Sequence, residues 1–250
     1  MGTNAAVPKQ EAGRRYLAQS ALVGPTVGLT GMFRRPWPAP LNGQRFRQEL
    51  IRSLVRELAP AAVFESGTYR GATTYFLHQV TGNPVYSAEK NKKFARAAAK
   101  RLLHFPDIRV VNRDSRNALQ ILRDSAVLPL SRVLFYLDAH WGADLPLRDE
   151  VRIITETWQS SIIVIDDFKV PDDHGYGFDT YGNDQLSMEY LGQKALGDYQ
   201  AFWPNIPSAQ ESGHRRGCVV LASPDVVTTL ACMPELRTIP GFSGAPVRSE

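Results

Sequence analysis

Along residues 43–58 the apolar side chains Phe46, Leu50, Ile51, Leu54, Val55 and Leu58 recur three and four positions apart. They fall on one face of an amphipathic helix, which Pro60 ends. Beyond that point the period changes. Ala61–Ser66 (AAVFES) is a short apolar run of strand type, and a helical pattern begins over Ala72–Gln79. Val85–Glu89 (VYSAE) predicts a second strand, and Phe94, Ala98, Leu102 and Phe105 mark the next helix face. A third strand over Ile108–Asn112 leads into the short helical stretch NALQILRD. Val133–Asp138 (VLFYLD) is the fourth strand, followed by a helix marked by Leu147, Val151, Ile154 and Trp158. Ile162–Asp166 (IIVID) is the fifth. Continuous apolar strands alternating with amphipathic helices predict a parallel sheet covered on both faces, the doubly wound α/β arrangement.

The end of the chain departs from this rhythm. A helix is expected around Leu186–Phe202, and FWPNIPSAQESGHRRGCVVLAS then reads as strand, turn and strand. Strands so close in sequence pair as an antiparallel hairpin. The expected fold is therefore Rossmann-like: a doubly wound, mostly parallel, seven-stranded sheet with a C-terminal antiparallel hairpin. Residues 1–42 are irregular and close in the Pro/Gly-rich GPTVGLTGMFRRPWPAP. They read as an arm or lid, partly disordered, ahead of one domain over 43–250.

Composition narrows the function classes. The chain has 250 residues, 43% of them hydrophobic, enough for a packed core. No apolar run approaches the roughly 18–20 residues that cross a bilayer. The two cysteines, Cys218 and Cys232, have neither CxxC spacing nor a framework, which suits a reducing cytoplasm. The net charge of +4 gathers near the start, in Arg14, Arg15, Arg34, Arg35, Arg45, Arg47, Arg52 and Arg56. These are not interleaved with stacking aromatics, so a solvated or substrate-steering face is favoured over a nucleic-acid surface.

Candidate chemistry begins at FESGTYRGATTYF. In doubly wound sheets, ligands sit at the carboxyl ends of the strands where the strand order reverses. The turn after strand one runs from Glu65 to Gly71 and lacks both the lysine of a P-loop and the spacing of GxGxxG. Gly67 permits a tight turn, and Gly71 permits close packing of the following helix. The helix N-terminus suits a carboxylate and Glu65 an ammonium, together an amino-acid moiety. Glu89, closing strand two, is placed for ribose hydroxyls, and Asp114-Ser115 after strand three for the edge of adenine.

This ordered set resembles the class I S-adenosylmethionine-dependent methyltransferases from about Ala61 to Ser223, and the late hairpin resembles their reversed last strand. The resemblance implies S-adenosylmethionine as cofactor. Glu65, Gly67, Thr68, Tyr69 and Gly71 would hold its methionine part, Glu89 the ribose, Asp114 and Ser115 the adenine, with Asp138 beside it. The glycine spacing is looser than the common ExGxGxG.

Two acidic clusters, Asp138-Ala139-His140-Trp141 and Asp166-Asp167-Phe168, end strands four and five. As sheet neighbours these strands lie about 4.8 Å apart. Unpaired carboxylates converging there would repel one another, and a hard cation is the simplest remedy. Asp138, Asp166 and Asp167 are thus expected to bind Mg²⁺ or another divalent cation. His140, two residues past Asp138, is the expected general base, with Asp138 and Asp167 as further catalytic groups. Metal-free catalysis by His140 with Asp166 or Asp167 is the alternative. The layout resembles metal-dependent O-methyltransferases that modify sugar hydroxyls in natural products, although their base is often acidic where His140 stands.

Trp141 and, from the long segment KVPDDHGYGFDTYGNDQ, His174, Tyr176, Asp179 and Tyr181 are expected to line an acceptor pocket. A solvated acidic loop is the bland alternative, and His214 in the hairpin turn reads as a surface residue. The expected activity is O-methylation of a small polar acceptor, a sugar or glycosylated metabolite, with no membrane partner. A homo-oligomer is compatible with the N-terminal arm. A nucleic-acid methyltransferase is disfavoured by the lack of an Asn/Asp-Pro-Pro-aromatic tetrad. A non-catalytic nucleotide-binding module has no need of clustered carboxylates.

Overall fold

A computed structural model describes residues 39–139 and 144–242 of the chain. It opens with a 3₁₀ turn, Pro40–Gly43, that leads into helix α1, Arg45–Leu58. The buried face of α1 is Arg47, Leu50, Ile51, Ser53 and Leu54, whereas Phe46, expected on that face, is 45% exposed. The stripe begins one position later than its apolar pattern suggests, with an arginine in it. Ala59 closes the helix in the left-handed conformation at φ 42°, its N–H bonded to the Val55 carbonyl.

Strand β1 (Ala62–Ser66), helix α2 (Ala72–Thr81), strand β2 (Val85–Ala88), helix α3 (Lys92–Leu102) and strand β3 (Ile108–Val111) follow. Helix α4 (Ser115–Ser125), strand β4 (Val133–Leu137), helix α5 (Leu147–Thr157) and strand β5 (Ile162–Asp166) complete the parallel part. A two-stranded ribbon, β6 (Thr180–Tyr181) with β7 (Asp184–Gln185), lies apart from the main sheet. Helix α6 (Met188–Leu196) is shorter than the expected Leu186–Phe202, because Gly197 ends it and the chain is already extended in strand β8 (Gln200–Pro204). Strand β9 (Cys218–Ala222), helix α7 (Val227–Ala231) and strand β10 (Leu236–Arg237) close the domain.

The sheet runs β10-β8-β9-β5-β4-β1-β2-β3. Strands β1 to β5 are parallel, β9 is antiparallel to β5, and β8 is antiparallel to β9. The seven expected strands are present, with the two-residue β10 added at one edge. Successive residues of each strand face opposite layers, so Val63, Tyr136 and Val164 pack with Ile51 and Leu54 of α1 and Leu77 of α2. Phe64, Phe135 and Ile165 pack with Leu119 of α4, Ile154 of α5 and Leu191 of α6. Phe135 meets Trp158 edge-on at 5.2 Å between ring centroids. Both faces of the sheet are therefore covered, which is why its strands are mostly apolar. The strand order reverses between β1 and β4, and their carboxyl ends open a crevice there. Among the described residues, no helix is long and apolar enough to cross a membrane.

Candidate active site

The turn after β1 presses against the end of β4. Gly67 has φ 86°, and a Cβ there would collide with the Asp138 carbonyl; the Asp138 N–H meanwhile donates to the Ser66 carbonyl at 3.0 Å. Only glycine satisfies both conditions. Gly71, φ 81°, opens α2, and a Cβ on it would stand 2.9 Å from the Leu102 Cδ1 of α3. Tyr69 between them is held left-handed at φ 47°, with its N–H donating to Glu89 Oε2 at 2.8 Å. Glu89 Oε1 accepts from the Asn91 N–H at 2.7 Å, so the carboxylate that ends β2 is fixed by two backbone amides. Each of its oxygens still has a lone pair for a ligand hydroxyl.

Glu65 lies beneath this turn. Its Oε2 accepts from the Thr74 and Ser87 hydroxyls, both at 2.5 Å, and Ser87 also bonds the Thr68 hydroxyl. It thereby ties α2, β2 and the turn together. Its Oε1 is buried with no partner, and burial pushes the carboxyl up to about 7. Glu65 does not line the crevice, unlike Gly67, Thr68 and Tyr69.

The crevice has a volume of about 640 Å³, within the range of roughly 300–1,000 Å³ typical of small-ligand sites. Around its wall stand the turn at Gly67–Tyr69, then Glu89, then Asp114 and Ser115, then Asp138, Asp166 and Asp167. Asp114 caps α4, accepting from the Arg116 N–H, and pairs with the Arg116 guanidinium at 2.8 Å and Lys90 at 3.3 Å. The Arg116 bonds foremost, with Lys90 beside them, hold it at about 2. Glu150 of α5 is fully buried and both its oxygens are unpartnered. Burial pushes it up to about 7, and the hydroxyls of Ser115 and Ser66 moderate that rise without closing a hydrogen bond to it.

The acidic half of the crevice is arranged differently. Asp166 Oδ1 accepts from the Arg47 guanidinium and from the Asp167 N–H at 2.9 Å. Its Oδ2 accepts from the Tyr136 hydroxyl at 2.6 Å and the Asn42 amide at 3.2 Å. Burial opposes its charge, but Arg47 and the Tyr136 bond outweigh burial and hold it below the usual carboxylate range. Asp167, itself left-handed at φ 53°, accepts from Arg216 Nε at 2.7 Å; burial first and Asp166 second raise it to about 6. Arg216 also pairs with Asp179, which accepts from the Tyr181 hydroxyl at 2.9 Å. Asp138 has no hydrogen-bonding partner for its carboxylate among the described residues, and burial together with Asp166 and Asp167 raises it far above its ordinary value.

These contacts do not suit a metal at the expected ligands. Asp166 has its lone pairs committed to four donors, and Asp167 and Asp179 share a guanidinium. Among the described residues, no group of three or more His, Cys, Asp or Glu side chains is placed to hold a metal ion. His140 and Trp141 lie outside the described residues.

No family model and no curated protein matches the chain. Solved structures do. The O-methyltransferase from Bacillus cereus in complex with SAH superposes with a TM-score of 0.50 at 15% identity, covering 88% of this chain and 94% of that one. The SAH-bound methyltransferase PaMTH1 of Podospora anserina gives a TM-score of 0.50 at 13% identity, covering 90% and 100%. The chain has the class I methyltransferase fold.

On that fold the acceptor side is placed differently from the sequence expectation. His174 is exposed and does not line the crevice. Tyr176 is buried and donates its hydroxyl to the Ile206 carbonyl at 3.1 Å, facing a separate cavity of about 330 Å³ between α1 and the β8–β9 connection. Neither is among the residues that line the crevice. Asp179 pairs with Arg216 and donates its N–H to the Asp167 carbonyl at 2.9 Å, and Tyr181 joins the cluster through its bond to Asp179.

Several residues at the site were not anticipated. His214, read as a surface residue, is exposed but stands at the crevice wall; its N–H donates to the Asn42 carbonyl at 3.1 Å. Leu41 and Asn42, the last residues of the expected arm, pack against the domain and line the crevice. Arg47 is 2% exposed. A signal for it existed: Arg47 stands three and four positions before Leu50 and Ile51, on the buried stripe, where a cation needs a buried partner.

Proposed function

We propose that the chain is an S-adenosylmethionine-dependent methyltransferase that acts on an oxygen of a small polar acceptor, a sugar or glycosylated metabolite. One observation carries the reading: a single crevice collects, in order, the Gly67–Tyr69 turn, the Glu89 carboxylate, the Asp114–Ser115 cap and the Asp138 carboxylate. A glycine turn with free approach to backbone, a carboxylate for vicinal hydroxyls and a polar cap for a base match an amino acid joined to a nucleoside. Phe94, edge-on to Tyr69 at 4.6 Å, adds an apolar wall on the nucleoside side. Both SAH-bound neighbours share the fold on which this arrangement is built.

S-adenosylmethionine would supply an electrophilic methyl group. The residues of the chain would orient the acceptor and receive its proton. Methyl transfer to the acceptor oxygen would leave the carbon–sulfur electron pair on sulfur. The hydroxyl proton passes to Asp138, the carboxylate of the cluster with no hydrogen-bonding partner among the described residues. Asp138 lines the crevice beside the Gly67 turn and, when ionised, is in place to take that proton. His214 lies on the same wall for acceptor contacts.

Thermal unfolding tests this directly. S-adenosylmethionine should raise Tm of the wild type and have much less effect on Glu89→Ala. An unchanged Tm for the wild type at millimolar cofactor would remove the reading.

A further inference from the structure

The carboxylates at the ends of β4 and β5 form the cluster that would ordinarily call for a divalent cation. Here the compensating charge is built into the chain. Arg47 comes from α1 and spans 119 residues of sequence to reach Asp166, with both side chains 1% exposed. Its second nitrogen donates to the Arg216 carbonyl. Arg216 is held in turn by Gln44, whose amide donates to the Arg216 carbonyl at 2.9 Å and accepts from the Arg216 N–H at 2.9 Å. The Arg216 guanidinium bridges Asp167 and Asp179.

We propose that Arg47 and Arg216 take the place a divalent cation would have in this cluster. They pair with Asp166, Asp167 and Asp179 and leave Asp138, without such a partner among the described residues, to face the acceptor. The proposal deepens the methyltransferase reading at the same crevice and rests on it for the acceptor; the bracing of the cluster does not. A guanidinium stays charged at every accessible pH and presents a planar fork to carboxylates. A metal entering at Asp166 would have to expel Arg47 from its pair and leave that buried cation unmatched. Both arginines are positioning residues: they act on the reaction through the carboxylates they hold.

The test uses the full chain after chelator treatment, with Mn²⁺ alone as the probe, its free concentration read by electron paramagnetic resonance. Wild type and Arg47→Lys should take up no stoichiometric Mn²⁺, whereas Arg47→Ala should gain a site that is lost again in Arg47→Ala/Asp166→Asn. Where Arg47→Ala does not fold, Arg216→Ala carries the same comparison at Asp167 and Asp179. Stoichiometric Mn²⁺ uptake by the wild type, lost in Asp166→Asn, would overturn the proposal. So would a folded Arg47→Ala chain that takes up none. S-adenosylmethionine titrated into the same metal-free samples separates the two ideas. Absent cofactor binding with absent Mn²⁺ uptake would sink the methyltransferase reading alone, and cofactor binding with Mn²⁺ uptake would sink the arginine bracing alone.

Discussion

The two halves of the crevice are built from the same kind of element, a strand end followed by a loop, yet they are left in opposite states. On the β1–β2 side, Glu89 is oriented by two backbone N–H groups and keeps capacity for a ligand, while Gly67 keeps the backbone bare. On the β4–β5 side, Asp166 is already answered by Arg47, Tyr136 and Asn42 and Asp167 is paired with Arg216, whereas Asp138 has no hydrogen-bonding partner for its carboxylate among the described residues. Oriented but unsatisfied groups bind ligands; satisfied groups support them. Acidic residues at strand ends therefore do not by themselves say which role they have.

The largest effect that would break this contrast lies at Asp166. Asp166→Ala strands the buried Arg47 guanidinium and should destabilise the chain by about 3–5 kcal/mol in urea unfolding. A loss under about 1 kcal/mol would mean that the pair is not a structural anchor.

Next comes Glu150, buried without partners below the cofactor half. Its folded-state value of about 7 lies above its ordinary 4.5. The stability this proton contributes is full below about pH 4.5 and is lost as pH rises through about 7. Glu65, raised for the same cause, slopes the same way. Glu150→Gln should thus match the wild type near pH 4.5 and exceed it at pH 8 by up to about 3 kcal/mol. Parallel stability curves for the two proteins across that window would contradict the assignment.

Smaller again is the ligand contact itself. Glu89→Ala should weaken S-adenosylmethionine by about 10–100-fold, the effect of losing hydrogen bonds to a charged group. His174→Ala, away from the crevice, should leave affinity within about twofold, as expected of a surface change. Equal effects from the two would erase the distinction between lining and non-lining residues.

Much of the fold was legible because dry strands and amphipathic helices leave different periods in the sequence. Strands β1 to β5 each lie within a residue or so of their apolar runs. Helix α6 was overextended because the apolar residues of β8 continue the pattern past Gly197, where only backbone geometry marks the break. At the site, the strand ends that converge follow from strand order, so the meeting of Gly67, Glu89, Asp114 and Asp138 could be anticipated. What answers Asp166 could not be read the same way. Arg47 looks like part of a basic leader, and its partner arrives from 119 residues away. The ammonium role foreseen for Glu65 overlooked Thr74 and Ser87, hydroxyls close enough in space to engage the carboxylate first.

The central claim is that the cofactor half is ready for S-adenosylmethionine without help from a metal. Calorimetric titration of the chelator-treated wild type with S-adenosylmethionine tests it most directly. Saturable binding in the micromolar range, unchanged when Mg²⁺ is restored, is the expected result. No binding heat, or binding that appears only with Mg²⁺, would contradict it.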